Sequence, residues 1–289
     1  MKYGIYYAFW EREWGGDYLP YIEKVKNLGF DVLEISAAGL VDKTDAEMQD
    51  MARRAKEAGL ILTAGYGPAP KENIASVDEA IRTNALDFYG KLFAKLAKAD
   101  IHTIGGGLYS YWPVDYSGGV DKEGDWARSV EGVQKMADMA AQYDITLGME
   151  VLNRFEGYLL NTCAEAVKFV KQVGKSNVKI MLDTFHMNIE EDSFTDAIHM
   201  AGDMLGHFHI GEANRRLPGQ GRIPWEEIGQ ALRDVHYNGY VVMEPFILSG
   251  GQVGKDIKVF RDMTEGKTPT QIDEDTRRSV DFVRKTFEG

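Results

Sequence analysis

The sequence predicts an α/β fold of the (β/α)₈ (TIM) barrel type, built as a single domain over residues 1–289. Three observations predict it. Eight short apolar runs, rich in β-branched and aromatic residues, alternate with longer amphipathic segments from one end of the chain to the other. The 289 residues match the roughly 250 that such a barrel needs. No composition break or low-complexity tract marks a second domain.

The runs are Tyr3–Tyr7, Val32–Ile35, Ile61–Ala64, His102–Ile104, Thr146–Met149, Val178–Leu182, Gly206–Phe208 and Tyr240–Met243. Each is too short for a helix and reads as a buried strand. Tyr18–Leu28 sets Tyr21, Ile22, Val25 and Leu28 on one face and stops at Gly29. Thr44–Ala58 opens on a capping box, Thr44 with Glu47, and ends before Gly59. Asp78–Ala99, Asp125–Tyr143, Thr162–Val173, Ser193–Ala201 and Trp225–His236 follow the same helical spacing, and Gln271–Phe287 closes the chain. Strictly alternating strands and helices imply parallel pairing through right-handed crossovers. The other parallel solution, a doubly wound open sheet, would carry a Gly-rich loop after its first strand, and Tyr7-Ala8-Phe9-Trp10-Glu11 is nothing like one.

Composition narrows the function classes. Acidic residues outnumber basic ones, 45 to 33, for a formal charge of −12, which disfavours nucleic acid as a partner. One cysteine, Cys163, rules out an intrachain disulfide and fits a reducing compartment. No stretch reaches the ~18 apolar residues of a membrane span, and the expected location is cytoplasmic.

The chemistry sits where the last four strands end. Glu150, Asp183, His209 and Glu244 each follow an apolar run, separated by 33, 26 and 35 residues, about one βα unit each time. In a parallel barrel these positions share one rim, the face where active sites lie. A carboxylate at the end of a buried strand is costly unless it is paired or metal-bound. Three carboxylates and an imidazole form a hard O/N set suited to Mn²⁺, Co²⁺ or Mg²⁺ rather than to metals that want thiolates. The alternative for any one acid alone is that it caps the following helix. Glu156 and His186 lie just beyond two of these positions, and Arg215 lies in the long loop 210–224. His207 shares a face with His209 but one layer deeper, where a core hydrogen bond is the expected role. His102, His199 and His236 read as structural. The glycines 105–107 read as a close backbone approach at the end of the fourth run, since no P-loop Lys-Ser/Thr follows them. Tyr6, Trp10, Trp14, Tyr109, Tyr111 and Trp112 are candidates for an aromatic wall, of which Tyr6 and Trp112 are preferred.

Three motifs carry a family resemblance: Asp183-Thr184-Phe185-His186-Met187-Asn188-Ile189-Glu190-Glu191, Gly206-His207-Phe208-His209 with Gly211-Glu212-Ala213-Asn214-Arg215, and Met243-Glu244-Pro245-Phe246. They resemble the D-tagatose 3-epimerase family. Tyr3-Gly4-Ile5-Tyr6-Tyr7 and Ser110-Tyr111-Trp112-Pro113 look more like its D-psicose (D-allulose) 3-epimerase branch. The resemblance spans essentially the whole chain and implies the xylose-isomerase-like variety of the barrel. It implies one Mn²⁺ or Co²⁺ per subunit on Glu150, Asp183, His209 and Glu244, with Glu150 and Glu244 also moving the proton at C3 of a ketohexose. It places Glu156, His186 and Arg215 on the C1–C3 end of the sugar and Tyr6, Trp112 and Phe246 along it. It further implies a homodimer or homotetramer. The implied reaction interconverts D-fructose and D-psicose, with D-tagatose and D-sorbose as further substrates. Three rivals remain at this level. An aldose–ketose isomerase would use the same metal barrel. A metal-dependent endonuclease would need more ligands and a basic surface. A non-catalytic sugar-binding protein would have no use for paired glutamates on a metal.

Overall fold

The computed structural model describes residues 1–289. Eight parallel strands close into a barrel in sequence order. They are β1 (Lys2–Tyr6), β2 (Val32–Ser36), β3 (Ile61–Tyr66), β4 (Thr103–Gly106), β5 (Thr146–Glu150), β6 (Val178–Asp183), β7 (Leu205–Ile210) and β8 (Tyr240–Met243). Closure is made by β1 against β8, with Gly4 opposite Val242. Every run expected as a strand is one. Most extend by a residue or two, which brings Glu150, Asp183 and His209 inside the hydrogen-bonded ladder and leaves Glu244 just past it. Two run ends fall outside the strands: the chain turns at Tyr7 into a 3₁₀ segment, Tyr7–Trp10, and β4 begins at Thr103, one residue after His102.

The helices are α1 (Leu19–Asn27), α2 (Asp45–Ala58), α3 (Glu79–Lys98), α4 (Lys122–Ala141), α5 (Cys163–Val173), α6 (Thr184–Glu190), α7 (Phe194–Ala201), α8 (Trp225–Asp234), α9 (Gly251–Asp256) and α10 (Pro269–Glu288). Side-chain caps fix most starts. Thr44 and Glu47 form the expected capping box, and Thr268 with Gln271 forms another. Helix α4 begins three residues before its expected start, because Asp121 accepts a hydrogen bond from Gly124 N at 3.0 Å. Helices α6 and α9 have no counterpart in the sequence reading. The first begins directly off β6, with the Asp183 side chain accepting from Phe185 N at 2.7 Å.

Glycines line one side of the barrel interior. Gly65, Gly105 and Gly148 lie side by side on β3, β4 and β5, paired in register. A Cβ on Gly105 would sit 2.4 Å from Met181 Sδ, and one on Gly148 would lie 3.7 Å from His207 Cβ. Met181 and His207 fill the space that side chains on Gly105 and Gly148 would take, while Tyr6 and Glu34 lie against Gly65. Gly106, at φ 123°, shows the close approach expected of this run, since a Cβ there would lie 2.2 Å from Tyr66 O. No helix is long and apolar enough to cross a membrane.

Candidate active site

The strand ends bring four groups to one point at the C-terminal rim of the barrel. One ligand atom from each of Glu150, Asp183, His209 and Glu244 lies within 4.8 Å of every other. Asp183 and His209 are register partners on β6 and β7, and Glu244 N is tied to Ile210 O at 2.9 Å. Asp183 thus meets both readings of a rim acid, since it caps α6 with one oxygen and faces the cluster with the other. Asp183 and His209 are fully buried, Glu150 nearly so, and Glu244 keeps some exposure.

Charge is unbalanced here. Burial pushes the Glu150 carboxyl well up, with Glu244 and Asp183 adding to it against the pull of His209 and Arg215. Burial likewise raises Asp183, against Arg215. Burial also acts to raise Glu244, but Arg215 and His209 more than reverse it, and its carboxyl is held below the usual range. Arg215 Nη1 donates to Glu244 Oε2 at 2.7 Å and to Asp183 Oδ2 at 3.2 Å, and its guanidinium lies 3.7 Å from the centre of the Phe185 ring.

The donor set fits a divalent cation. His209 Nδ1 is buried with no hydrogen-bond partner and stands 3.7 Å from Glu244 Oε1. Burial disfavours a charged ring, but Glu34 and Glu244 more than reverse it and hold the imidazole well above its ordinary range, so a divalent ion would take the place of the Nδ1 proton among the three carboxylates. The other ring nitrogen, Nε2, meets Glu34 Oε1 at 2.5 Å. An imidazole held from behind by a carboxylate, with its free nitrogen facing oxygen donors, is the arrangement of metal-binding histidines.

A cavity of about 240 Å³ opens over this cluster. Tyr6, Trp112, Glu150, Glu156, His186, His209, Arg215 and Glu244 all lie on its surface. His186 has a defined role in it. Its Nδ1 accepts from Asn153 N at 3.1 Å, so the proton sits on Nε2. Burial, with Arg215 and His209 nearby, keeps the ring neutral. Its Nε2–H points towards the site, 3.8 Å from Glu150 Oε1. Trp112 Nε1 donates to Glu156 Oε2 at 3.3 Å, and Arg215 Nη2 stands 3.7 Å from Glu156 Oε1. Phe246 is not on the cavity surface. It backs Tyr6 and Trp14, with ring centres 6.4 and 6.3 Å away.

Arg215 adopts a left-handed backbone at φ 63°, unusual for a non-glycine residue. The strain is held by Arg215 N donating to Glu212 O and by Phe246 N donating to Arg215 O, both at 2.8 Å. Glu212, fully buried, braces the same loop by accepting from Gly219 N and Trp225 Nε1 at 2.8 Å and from Ile223 N at 3.2 Å.

Sequence reasoning misses two contributors, Asn153 and Glu34, and ranks a third, Trp14, behind Tyr6 and Trp112. Trp14 lines the cavity and is held by Asp256 Oδ2 at 2.8 Å. Asn153, which sets the His186 tautomer, stands in the same loop as Glu156 and gave no signal of its own. Glu34 sits within an apolar strand, and an acid between Leu33 and Ile35 is the signal that points to it. Among the remaining aromatics, Tyr109 is core and holds Glu150 O at 2.7 Å, and Trp10 stacks on Tyr21 away from the cavity. His207 lies below the cluster, with Nε2 2.8 Å from Glu34 Oε2 but off the line of a good hydrogen bond.

Residues 22–265 match the family of xylose isomerase-like TIM barrels. Over the full length of both proteins the chain is 56% identical to the D-psicose 3-epimerase of Agrobacterium fabrum. A crystal structure of D-psicose 3-epimerase in the presence of D-fructose superposes with a TM-score of 0.99 at 56% identity, covering all of both chains. The D-psicose 3-epimerase of Clostridium cellulolyticum H10, solved with D-tagatose, superposes with a TM-score of 0.98 at 54% identity over 99% of each chain.

Proposed function

This chain belongs to the xylose isomerase-like TIM-barrel family and, within it, to the ketose 3-epimerases, and on that premise we propose that it interconverts D-fructose and D-psicose by moving the proton on C3. Activity on D-tagatose and D-sorbose belongs to the same proposal. The observation that carries it is the rim cluster, with Glu150 and Glu244 brought from β5 and β8 to the same cavity floor. Residues 1–289 act as one domain in this reading, since the eight strands share a single barrel.

Glu150, Asp183, His209 and Glu244 would hold one divalent ion per subunit, Mn²⁺ or Co²⁺ with Mg²⁺ as a third choice. When bound, the ion supplies Lewis-acid stabilisation of the negative charge that develops on the substrate oxygens next to C3. Everything else is work for the protein. Inversion at C3 means taking a proton from one face, leaving an enediolate across C2 and C3, and returning a proton to the other face. Two carboxylates on separate strands can serve as base and acid and exchange roles with direction. His186 stands 3.8 Å from Glu150 Oε1 with a neutral Nε2–H, ready to donate to a substrate oxygen entering that gap. Arg215 offers a second donor, and Glu156, anchored by Trp112, accepts from a hydroxyl. Tyr6, Trp14 and Trp112 cover the apolar face of the sugar, with Phe246 behind them.

The test is product analysis after D-fructose and, separately, D-tagatose are incubated with chelator-treated protein and with protein resupplied with Mn²⁺ or Co²⁺. D-Psicose formed from D-fructose only when metal is present supports the reading. An aldose product, or no turnover with any metal, overturns it. We also propose a homodimer or homotetramer on the strength of the family resemblance, and sedimentation velocity counts the subunits.

A further inference from the structure

A carboxylate in the middle of a buried strand demands an explanation, and Glu34 is 1% exposed between Leu33 and Ile35. Its two oxygens are fully employed. Oε1 meets His209 Nε2 at 2.5 Å, and Oε2 accepts from Thr63 Oγ1 at 2.8 Å with His207 Nε2 also 2.8 Å away. The Gly65 hydrogen faces it, and a Cβ there would lie 3.5 Å from Oε1. An ionised carboxylate accepts and cannot donate, so the proton of a neutral His209 ring must sit on Nε2. A ring that gives up one proton to bind a metal therefore frees its lone pair on Nδ1, the atom with no partner in the structure.

We propose that Glu34 is a positioning residue for the metal site, fixing the tautomer and ring plane of His209 so that Nδ1 is the ligand atom. Thr63 Oγ1 donates to the other carboxylate oxygen, with the His207 ring packed beside it. The chain of contacts runs from β3 through β2 to β7 and couples the barrel interior to the rim. Hydrogen bonding to a carboxylate also makes Nδ1 the stronger base, and loss of such a partner typically weakens metal affinity by about 10–100-fold. The proposal rests on the reading of Glu150, Asp183, His209 and Glu244 as a metal site.

Metal-free wild type, Glu34→Gln, Glu34→Asp and Thr63→Val are titrated with Mn²⁺ by calorimetry and with Co²⁺ by visible absorption, and each metal-free protein is melted. Glu34→Gln keeps the shape but drops the charge, and its Kd for both ions is expected to rise by about 10–100-fold with an altered Co²⁺ spectrum. Glu34→Asp withdraws the oxygen by one methylene and is expected to fall between. Thr63→Val leaves the bond to His209 intact, and its Kd is expected to stay within about threefold. Wild-type affinity and spectrum in Glu34→Gln overturn the proposal, even if the metal-free protein melts earlier. A soluble Glu34→Asp supplies the same comparison if Glu34→Gln does not fold. A wild type that binds neither ion overturns the metal site itself, a different result from a wild type that binds and a Glu34→Gln that binds equally well.

Discussion

Arg215→Met isolates the electrostatic balance of the cluster, because methionine keeps an unbranched apolar stem over Phe185 and removes only the charge and its donors. The buried guanidinium bonds the half-buried Glu244 and the buried Asp183 at 2.7 and 3.2 Å. Taking away one partner of a buried pair costs about 3–5 kcal/mol. A stranded carboxylate can escape by taking a proton, which caps the loss. For Glu244, with an ordinary value of 4.5, that escape costs about 3.4 kcal/mol at pH 7. Unfolding entropy of ~2.1 cal/mol/K per residue makes roughly 0.6 kcal/mol per kelvin for a chain of this size. The metal-free variant should therefore melt about 5–6 °C below metal-free wild type at pH 7. The pH dependence has a fixed sign. Arg215 helps hold the folded-state pKa of Glu244 below its ordinary value, so its stabilisation is present above about pH 4.5 and is lost as pH falls. The gap between the two proteins should shrink to roughly 1 °C at pH 5. Saturating Mn²⁺ should also narrow it, since the ion replaces the missing positive charge. Scanning calorimetry with chelator and with Mn²⁺ at both pH values is the assay. Equal melting of the metal-free proteins at pH 7, or a gap unchanged by Mn²⁺ and by acid, would refute the reasoning.

Other outcomes follow from the same geometry. Glu150→Gln and Glu244→Gln should each lower kcat by at least about 100-fold, the usual minimum for a positioned acid or base; near-wild-type turnover in either, with Co²⁺ binding seen by absorption, would end the two-carboxylate scheme. Burial raises Glu150 and Asp183 in the metal-free site, so binding must displace protons and should tighten as pH rises, by about tenfold per unit for each proton displaced. Calorimetry in buffers of different ionisation enthalpy counts those protons, and a Kd flat between pH 6 and 8 would contradict the raised carboxyls. Gly106→Ala puts a methyl 2.2 Å from Tyr66 O and forces φ 123° on an L-residue; it should destabilise the fold by at least about 1–3 kcal/mol, read as a lowered melting temperature.

Much of this protein is legible in its sequence because a (β/α)₈ barrel repeats one local rule. Each buried parallel strand needs a continuous apolar run, and each covering helix needs a 3.6-residue stripe and a cap, so Val178–Leu182 or the Thr44–Glu47 box announces itself without its neighbours. The rim cluster was legible for the same reason, since every strand of a parallel barrel ends on one face and spacing alone puts Glu150, Asp183, His209 and Glu244 there. What the tertiary structure decided depends on pairs of residues that local rules do not connect. Helix α6 starts where Asp183 turns one oxygen onto Phe185 N while the other faces Arg215. Trp14 joins the cavity wall because Asp256 holds its indole from 242 residues away. His186 presents Nε2 because Asn153, on the neighbouring strand's loop, takes Nδ1. Glu34 looked like a stray acid in an apolar strand until closure of the barrel set it against His209, 175 residues along the chain. Periodicity places a side chain on a face and at a level, but only the closed barrel brings distant strands within hydrogen-bond reach, and that reach fixes which nitrogen carries a proton and which is free to bind.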